Sequence, residues 1–294
     1  MEKAIIFGAS LTGQKLYEQL KEKYECICFV DNDSSKQGTL CKGLRVIPPE
    51  QIMKMDYDII VIASLPGFFE IKTQLKGLGV QEKTIQDQYV KQSAEARIRF
   101  LKQYSKIAQD KNLDGAVAEL GVYRGEFAKE INKVFPDKKM YMFDTFEGFE
   151  TDDILYEKQM NLSSHSEGHF GNTSIELVME KMQTPENCVI RKGYFPDSLD
   201  EQDFSETFCF VSIDCDLYLP AIKGLEFFYP RLEKGGLICI HDYFADTFLG
   251  IKKAVDEFCD NNNVSIMPVG DNISAVSYTH LDVYKRQVLY WVQG

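Results

Sequence analysis

Four side chains that can bind a metal ion or move a proton follow two apolar runs in the second half of the sequence. Asp214 and Asp216 follow the run FVSI, while His241 and Asp242 follow the run GGLICI. If both runs form parallel strands of one sheet, these side chains converge at its carboxyl edge, where ligands bind in open α/β folds. Carboxylates and an imidazole can hold a divalent cation there and activate a hydroxyl group. The pattern therefore predicts an enzyme.

Two α/β units are predicted, and the first covers residues 1–90. Its opening run KAIIFG leads into a helical pattern, so Gly8 and Gly13 would let the backbone approach a phosphate at a helix amino terminus. Asp31 follows the second strand, where an acid would bind a ribose. The full GxGxxG fingerprint is absent, so a plain tight turn with Asp31 capping a loop stays an equal alternative. We predict a Rossmann-like domain for a nucleotide or nucleotide sugar.

A stretch of helical periodicity separates this unit from the next. Its apolar residues are Ala94, Ile98, Leu101, Tyr104, Ile107 and Ala108. Lys, Arg and Gln fill the positions between them, as on the solvated face of an amphipathic helix. We interpret residues 91–112 as a connecting helix.

The second unit repeats the strand, glycine turn and helix opening. The run AVAE ends at Glu119, a turn bracketed by Gly121 and Gly125 follows, and the next strand, MYMF, ends at Asp144. Alternation of strands and helices favours a parallel sheet with right-handed crossovers. The fold class predicted for the chain is therefore α/β, with two Rossmann-like domains.

Six ordered sequence blocks give residues 115–276 a specific resemblance. The blocks are ELGVYRGEFA, FDTFEGF, GNTSIE, KGYFPDSL, SIDCDLY and GGLICIHDY. Through them the chain resembles the family of macrocin, mycinamicin and novobiocin-pathway sugar O-methyltransferases. The resemblance implies that residues 113–276 form a class I methyltransferase domain that uses S-adenosylmethionine and acts on a sugar or glycosylated small molecule.

The resemblance also implies a cofactor site. Its residues would be Glu119, Gly121, Gly125, Asp144, Asp197 and Ser198. The glycine turn would wrap the methionine part of S-adenosylmethionine, and Asp144 would accept from both ribose hydroxyls. Asp197 and Ser198 would meet the adenine edge.

The same resemblance assigns roles at the two strand ends. Asp214 and Asp242 match ligands of a divalent ion, Mg²⁺ or Mn²⁺, and Asp216 matches the carboxylate proposed as general base. His241 departs from the family pattern, which has Asp there. Because Mg²⁺ prefers oxygen and imidazole suits softer ions, His241 is either a ligand of a softer ion, a proton-transfer group or a hydrogen-bonded structural residue.

A polar stretch, residues 161–172, is expected to form a lid over the acceptor. His165 and His169 flank a short Ser-Glu-Gly segment within it. Gly168 and Gly171 argue against a helix that would bring both imidazoles to one metal ion. We interpret the two histidines as solvated loop residues.

Composition restricts the class of protein. The net charge of -12 argues against binding to a nucleic-acid backbone, and no apolar run is long enough to span a membrane. The amino terminus lacks the layout of a signal peptide, so a cytoplasmic location is expected. The eight cysteines form no metal-binding or CxxC pattern and are interpreted as reduced thiols. The family resemblance weakly favours a homo-oligomer.

The carboxyl terminus carries a different resemblance. The run VSYTHLDVYKRQ can be back-translated into a nearly perfect inverted repeat that resembles two transposase ends of a sequencing adapter, fused head to head. We therefore interpret residues 277–294 as an adapter artefact that includes Trp291. Asn272 to Val276 would start the final genuine strand, Ser277 and Tyr278 could extend it, and no stable packing is expected beyond about Thr279.

Two other function classes stay open on sequence alone. Tandem dinucleotide-like units could form an NAD-dependent sugar-nucleotide epimerase or reductase, although the one Tyr-x-x-x-Lys spacing, Tyr17 to Lys21, does not lie in a helix that could do the chemistry of such enzymes. A non-catalytic nucleotide-binding scaffold is the third alternative, and His241 makes it conceivable. The number of acidic groups at strand ends favours the methyltransferase.

Overall fold

The chain is described by a computed structural model that covers residues 1–64, 67–163, 168, 170–245 and 248–278. It divides into two compact units, Met1–Ala96 and Arg97–Gly294. The boundary between them falls within one long helix, Gln88–Asp110. No helix in the described ranges has the length and hydropathy that a membrane span needs.

The first unit is a six-stranded sheet with helices. Its strands are β1 Lys3–Phe7, β2 Glu25–Val30, β3 Leu40–Cys41, β4 Leu44–Ile47, β5 Ile59–Ile62 and β6 Ile85–Gln86. Its α-helices are α1 Leu11–Leu20 and α2 Phe68–Gly77, followed by the first part of α3 Gln88–Asp110. The strand order is β3-β4-β2-β1-β5-β6, and all pairs are parallel except β3 with β4.

The glycine turn after β1 is tightly packed. A Cβ on Gly13 would lie 1.8 Å from the backbone oxygen of Gly8, so any larger residue would displace the turn. The Asp31 carboxylate accepts a hydrogen bond from the Ala9 backbone N–H at 2.9 Å and pairs with the Lys36 ammonium at 3.2 Å. Asp31 therefore fixes the glycine turn, and it lies at the strand end where the sequence predicts a ribose-binding acid.

The second unit is a seven-stranded sheet. Its strands are β7 Ala116–Leu120, β8 Met140–Asp144, β9 Cys188–Lys192, β10 Phe208–Ile213, β11 Leu232–Ile240, β12 Met267–Pro268 and β13 Ala275–Tyr278. Its other helices are α4 Ala128–Val134, α5 Thr151–Gln159, α6 Ile175–Met179, α7 Tyr218–Phe228 and α8 Leu249–Asn262. The strand order is β12-β13-β11-β10-β7-β8-β9, with β13 antiparallel to both of its neighbours.

The centre of this sheet is buried on both faces. Every residue of β7 and of β10 is buried, as expected for central strands of a parallel sheet that helices cover on both sides. Apolar clusters on the two faces include Phe143 and Phe228 on one and Phe210 and Leu101 on the other. This packing fixes where the strands end, and therefore where the side chains that follow them lie.

The last described strand lies beside β11 and begins at Ala275, three residues after the start that the sequence predicts. Ala275 pairs with Ile240 and Val276 with Cys239, and the ladder continues through Ser277 and Tyr278. Ala275 and Val276 are buried. The two residues that the sequence assigns to foreign DNA thus extend the strand by two positions, while residues 279–294 lie outside the described part of the chain.

Candidate functional site

The parallel register brings the ends of three strands together. The Asp214 N–H donates to the Leu120 carbonyl at 2.8 Å, and the His241 N–H donates to the Ile213 carbonyl at 2.9 Å. These bonds continue the ladders of β10 with β7 and of β11 with β10 by one residue. The side chains of Asp214 and His241 are consequently neighbours at the carboxyl edge of the sheet, as the sequence predicts.

Three potential metal ligands meet at this edge. The Nδ1 atom of His241 lies 2.9 Å from an Asp214 carboxylate oxygen and 3.0 Å from an Asp242 carboxylate oxygen. One ligand atom from each residue can be chosen so that all three lie within 4.8 Å of one another. The structure therefore assembles the predicted set of Asp214, His241 and Asp242.

The electrostatics of the cluster follow from its burial and its mixed charges. Burial lowers the pKa of His241, but Asp214 and Asp242 outweigh that effect and raise it to about 10. Burial would raise the pKa of Asp214, yet His241 and Arg97 hold it well below its usual range. The two carboxylates therefore favour the charged form of the His241 imidazole.

Asp216 completes the predicted acidic group. Burial is the main cause that raises the pKa of this carboxyl well above its usual range, and the neighbouring carboxylates of Asp242 and Asp214 raise it further. Both Asp216 and Asp242 have left-handed backbone conformations, with φ of 64° and 57°. Such conformations are strained for residues with a Cβ and direct these side chains in a way that an extended strand would not.

A cavity opens beside this cluster. The lining acids are Asp144, Glu150, Asp153, Asp214 and Asp216, and the lining aromatic residues are Tyr123, Phe143, Phe149, Phe170, Tyr194 and Phe195. Aromatic faces with carboxylates among them suit a ligand that carries both apolar and hydroxyl-bearing surface. The cavity joins the predicted cofactor turn to the predicted metal cluster.

The glycine turn after β7 forms one wall of the cavity. Gly121 has φ of 85°, and a Cβ there would lie 2.1 Å from the backbone oxygen of Asp214. The Asp144 carboxylate accepts hydrogen bonds from the N–H groups of Val122 and Tyr123, both at 2.7 Å, and from that of Phe146 at 2.6 Å. These bonds fix Asp144 at the end of β8 and leave part of its acceptor capacity for a ligand.

The other predicted cofactor residues lie in different settings. Gly125, with φ of 75°, ends the turn, and a Cβ there would meet the Val178 side chain at 3.0 Å. Glu119 is buried behind the turn, and burial raises its pKa to about 8. Asp197 is exposed, whereas the Ser198 hydroxyl is buried and has no hydrogen-bond partner among the described residues.

His165 and His169 lie outside the described residues, as do the other central residues of the predicted lid. Within the described part of that stretch, the Tyr123 hydroxyl donates to the side chain of Asn172 at 2.7 Å. Tyr123 and Phe170 are in edge-to-face contact with ring centres 5.0 Å apart. The stretch therefore lies against the cavity through at least these two contacts.

Arg97 is a site residue that the sequence interpretation missed. It belongs to α3, is 7% exposed, and donates to Asp214 at 2.8 Å. Its spacing in the sequence could have revealed it. Arg97 precedes Leu101 by four residues and Tyr104 by seven, which places it on the apolar face of the helix. A charged residue on that face needs a buried partner, and Asp214 is that partner.

Two family models match the chain. Residues 90–277 match the family model described as Macrocin-O-methyltransferase (TylF), and residues 1–86 match the one described as C2185-like, N-terminal. No curated protein matches the chain.

Two solved structures of methyltransferases resemble the chain. Calicheamicin methyltransferase CalS11 has a TM-score of 0.55 and 16% identity, covering 73% of this chain and 92% of that one. The O-methyltransferase NovP has a TM-score of 0.50 and 20% identity, covering 62% of this chain and 79% of that one. These likenesses establish the Rossmann-like fold of class I methyltransferases. Since the TylF model spans more than half of the sequence, the chain belongs to the macrocin O-methyltransferase family and is an S-adenosylmethionine-dependent O-methyltransferase.

Proposed function

We propose that the chain transfers a methyl group from S-adenosylmethionine to a sugar hydroxyl, with the help of a divalent cation, in polysaccharide, glycan or natural-product biosynthesis. The observation that carries the proposal is the convergence of Asp214, His241 and Asp242 beside a cavity that is lined by Gly121, Asp144 and Asp214. A methyl donor and a cation-bound hydroxyl could thus lie side by side.

The cavity has features that fit S-adenosylmethionine. Gly121 lines the cavity, and its positive φ and close approach to the Asp214 backbone require a residue without a Cβ, so the turn that faces the cavity is tightly held. Asp144 is held in place by backbone donors and is the proposed acceptor for the ribose hydroxyls. The buried and unpaired Ser198 hydroxyl supports a polar contact with the adenine edge, and we assign that contact to Ser198 together with Asp197.

The donor set fits a divalent cation of intermediate softness. Two carboxylates and one imidazole favour Mn²⁺, Fe²⁺ or Zn²⁺ over Mg²⁺, which prefers oxygen ligands. Asp214, His241 and Asp242 would hold the ion, which when bound would lower the pKa of an acceptor hydroxyl and orient its oxygen. Because the pKa of His241 is raised to about 10, this residue must release a proton before its nitrogen can act as a ligand.

Asp216 is the proposed general base. It lines the cavity beside the metal cluster, and burial raises its pKa above the usual range, so its carboxylate is a stronger base than that of a solvated aspartate. In the proposed reaction, Asp216 takes the proton of the acceptor hydroxyl while the oxygen forms a bond with the methyl carbon. The carbon–sulfur bond breaks, its electron pair stays on sulfur, and S-adenosylhomocysteine leaves.

For the amino-terminal unit we propose binding of a nucleotide or nucleotide sugar. The support is the packed turn of Gly8 and Gly13 at the start of α1 and the position of Asp31 at the end of β2. Titration of uridine and thymidine diphosphates would test it, with Gly13→Val as the variant that disrupts the turn. Equal affinities of the variant and the unchanged protein would contradict the proposal.

The methyltransferase proposal is tested by calorimetric titration of S-adenosylhomocysteine, with and without Mn²⁺. We expect micromolar binding by the unchanged protein and loss of methyl transfer to sugar acceptors in Asp214→Asn, with the circular dichroism spectrum retained. Full activity of Asp214→Asn would remove this residue from the site. Tight NAD binding together with indifference to S-adenosylhomocysteine would instead support the epimerase or reductase alternative.

A further inference from the structure

The connecting helix α3 contributes a buried cation to the proposed metal site. Its Arg97 side chain is 9% exposed, although guanidinium groups are rarely buried without strong partners. A buried charge that lacks compensation costs several kcal/mol, on the order of the total stability of a domain. The partners of Arg97 must therefore compensate its charge.

Three groups hold the guanidinium from different directions. Nη1 donates to Asp214 Oδ2 at 2.8 Å, and Nη2 donates to the Ser212 hydroxyl at 2.8 Å. The Phe127 ring lies under the guanidinium plane, with 3.7 Å from its centroid to the Cζ atom. A planar group that is bound along two edges and stacked on one face has one orientation, which an ammonium group at the same place could not reproduce.

The two carboxylate oxygens of Asp214 contact different partners. Oδ2 faces the guanidinium, and Oδ1 lies 2.9 Å from His241 Nδ1 on the side of the metal cluster. The carboxylate plane is consequently fixed, with Oδ1 presented to the cluster. Groups that orient the ligands of a metal commonly change metal affinity by about 10- to 100-fold when they are removed.

We propose that Arg97 is a positioning residue that orients the Asp214 carboxylate for cation binding. The inference rests on the proposed metal-assisted function. It gives α3 a part in the methyl-transfer site in addition to its role as a connection. Ser212 and Phe127 act through Arg97, because they fix the plane of its guanidinium group.

Two effects of Arg97 have opposite consequences and can be separated. Its positive charge, close to the cluster, repels a divalent cation, so loss of charge alone would strengthen cation binding. Its fork geometry orients Asp214, so loss of the fork would weaken cation binding. Arg97→Lys keeps the charge and removes the fork, whereas Arg97→Met removes both.

The experiment is a titration of Mn²⁺ followed by electron paramagnetic resonance, on the full chain and on each variant. We expect the dissociation constant of Mn²⁺ to rise about tenfold or more in Arg97→Lys. The affinity for S-adenosylhomocysteine should change less than about twofold, since Arg97 does not line the cavity. Arg99→Lys, at an exposed position of the same helix, is the matched control and should keep the Mn²⁺ affinity.

Each outcome bears on a different claim. Unchanged or tighter Mn²⁺ binding in Arg97→Lys would overturn the positioning role, because this variant keeps the charge and loses only the fork. If Arg97→Lys also loses S-adenosylhomocysteine binding, Ser212→Ala is the second test, because it keeps the charge of Arg97 and removes one hydrogen bond to its guanidinium group. The Mn²⁺ affinity of Ser212→Ala should fall severalfold. An unchanged Mn²⁺ affinity in this variant would overturn the proposal. If the unchanged protein and Asp214→Asn bind Mn²⁺ equally, the metal-assisted function itself is wrong.

Discussion

At the scale of single residues, we expect Asp144 to have the most direct influence on cofactor binding. Its carboxylate holds the N–H groups of Val122, Tyr123 and Phe146, so Asp144→Ala leaves these donors without a partner and removes the proposed ribose acceptor. We expect the affinity for S-adenosylhomocysteine to fall at least tenfold, which corresponds to a loss of about 1.4 kcal/mol, and calorimetry measures it.

The matched control is Glu147→Ala in the same loop. Glu147 is exposed and pairs with Lys192 at 2.8 Å, and neither residue lines the cavity. An exposed ion pair contributes little to stability or to binding at a distance. A loss of affinity in this variant equal to that in Asp144→Ala would mean that the loop as a whole, and not the carboxylate of Asp144, determines binding.

Glu119 gives stability a defined dependence on pH. Burial raises the pKa of this carboxyl to about 8 in the folded protein, above the ordinary value of 4.5 that it regains on unfolding. Between these values the folded protein holds one more proton than the unfolded chain, so this group lowers stability as the pH rises through that window. Glu119→Gln removes the effect because its amide does not titrate.

We therefore expect Glu119→Gln to gain stability relative to the unchanged protein as the pH increases from about 5 to about 8, with no further gain above that pH. Urea unfolding of both proteins without cofactor at several pH values measures the difference, and contributions from all other titrating groups cancel to first order. A stability difference that is independent of pH would show that Glu119 is ionised in the folded protein.

The residues of the site differed in how far sequence could predict them. Asp214, His241 and Asp242 could be predicted because strand ends are visible as apolar runs, and parallel register brings such ends together. Arg97 could not be paired with Asp214, because its partner lies 117 positions away and depends on how α3 packs against β10. The left-handed backbone of Asp216 likewise results from the tertiary structure of the turn.

At the scale of elements, β13 is the part of the second sheet most open to test. It inserts between β11 and β12 and buries Ala275 and Val276. Ending the chain after Asn272 would expose the β11 edge and forfeit about 2 kcal/mol from the burial of Val276 alone. We expect a clearly lower midpoint of thermal unfolding than for a chain that ends after Tyr278, measured by circular dichroism.

A chain that ends after Tyr278 should match the full-length chain in that experiment. Residues 279–294 carry the predicted adapter sequence and lie outside the described part of the protein. Strong hydrogen-exchange protection in residues 288–292 of the full-length chain, or a large loss of stability on their removal, would contradict the expectation that they do not pack stably.

Element types were easier to predict than element ends. The strands after Gly115 and Lys139 follow the apolar runs closely, as β7 and β8. The helix predicted for residues 91–112 is observed as Gln88–Asp110, three residues earlier at its start. Periodicity identifies the middle of such a helix, while its ends depend on tertiary contacts that the local sequence does not specify.

At the scale of the whole molecule, we expect the charge of the protein to favour binding of the methyl donor over binding of its product. The chain carries a net charge of -12, and the cavity is lined by acids. S-adenosylmethionine has a sulfonium charge that S-adenosylhomocysteine lacks, so the field of the protein attracts the donor more strongly. We expect a rise in salt from about 50 mM to about 500 mM to weaken donor binding by a larger factor than product binding.

Calorimetry of both ligands at the two salt concentrations, with a chelator present to remove divalent ions, measures this difference. Added sodium chloride should change the binding affinities of both ligands equally, except through the additional positive charge of the donor. An equal loss of affinity for the two would mean that the sulfonium group is too far from the acidic lining, or too well screened, for the net charge to matter.

The backbone of Asp216 and Asp242 has a consequence for any attempt to make this enzyme more heat-resistant. Each left-handed residue costs of the order of 1–3 kcal/mol unless it is glycine or is well compensated, so Gly at either position would relieve strain. A screen for thermostability alone would then enrich replacements that remove these carboxylates, and if Asp216 and Asp242 act as proposed, the selected proteins would be inactive. Directed evolution of this enzyme should therefore select for turnover in every round, because substitutions at these two positions would raise thermal stability and lower the proposed activity together.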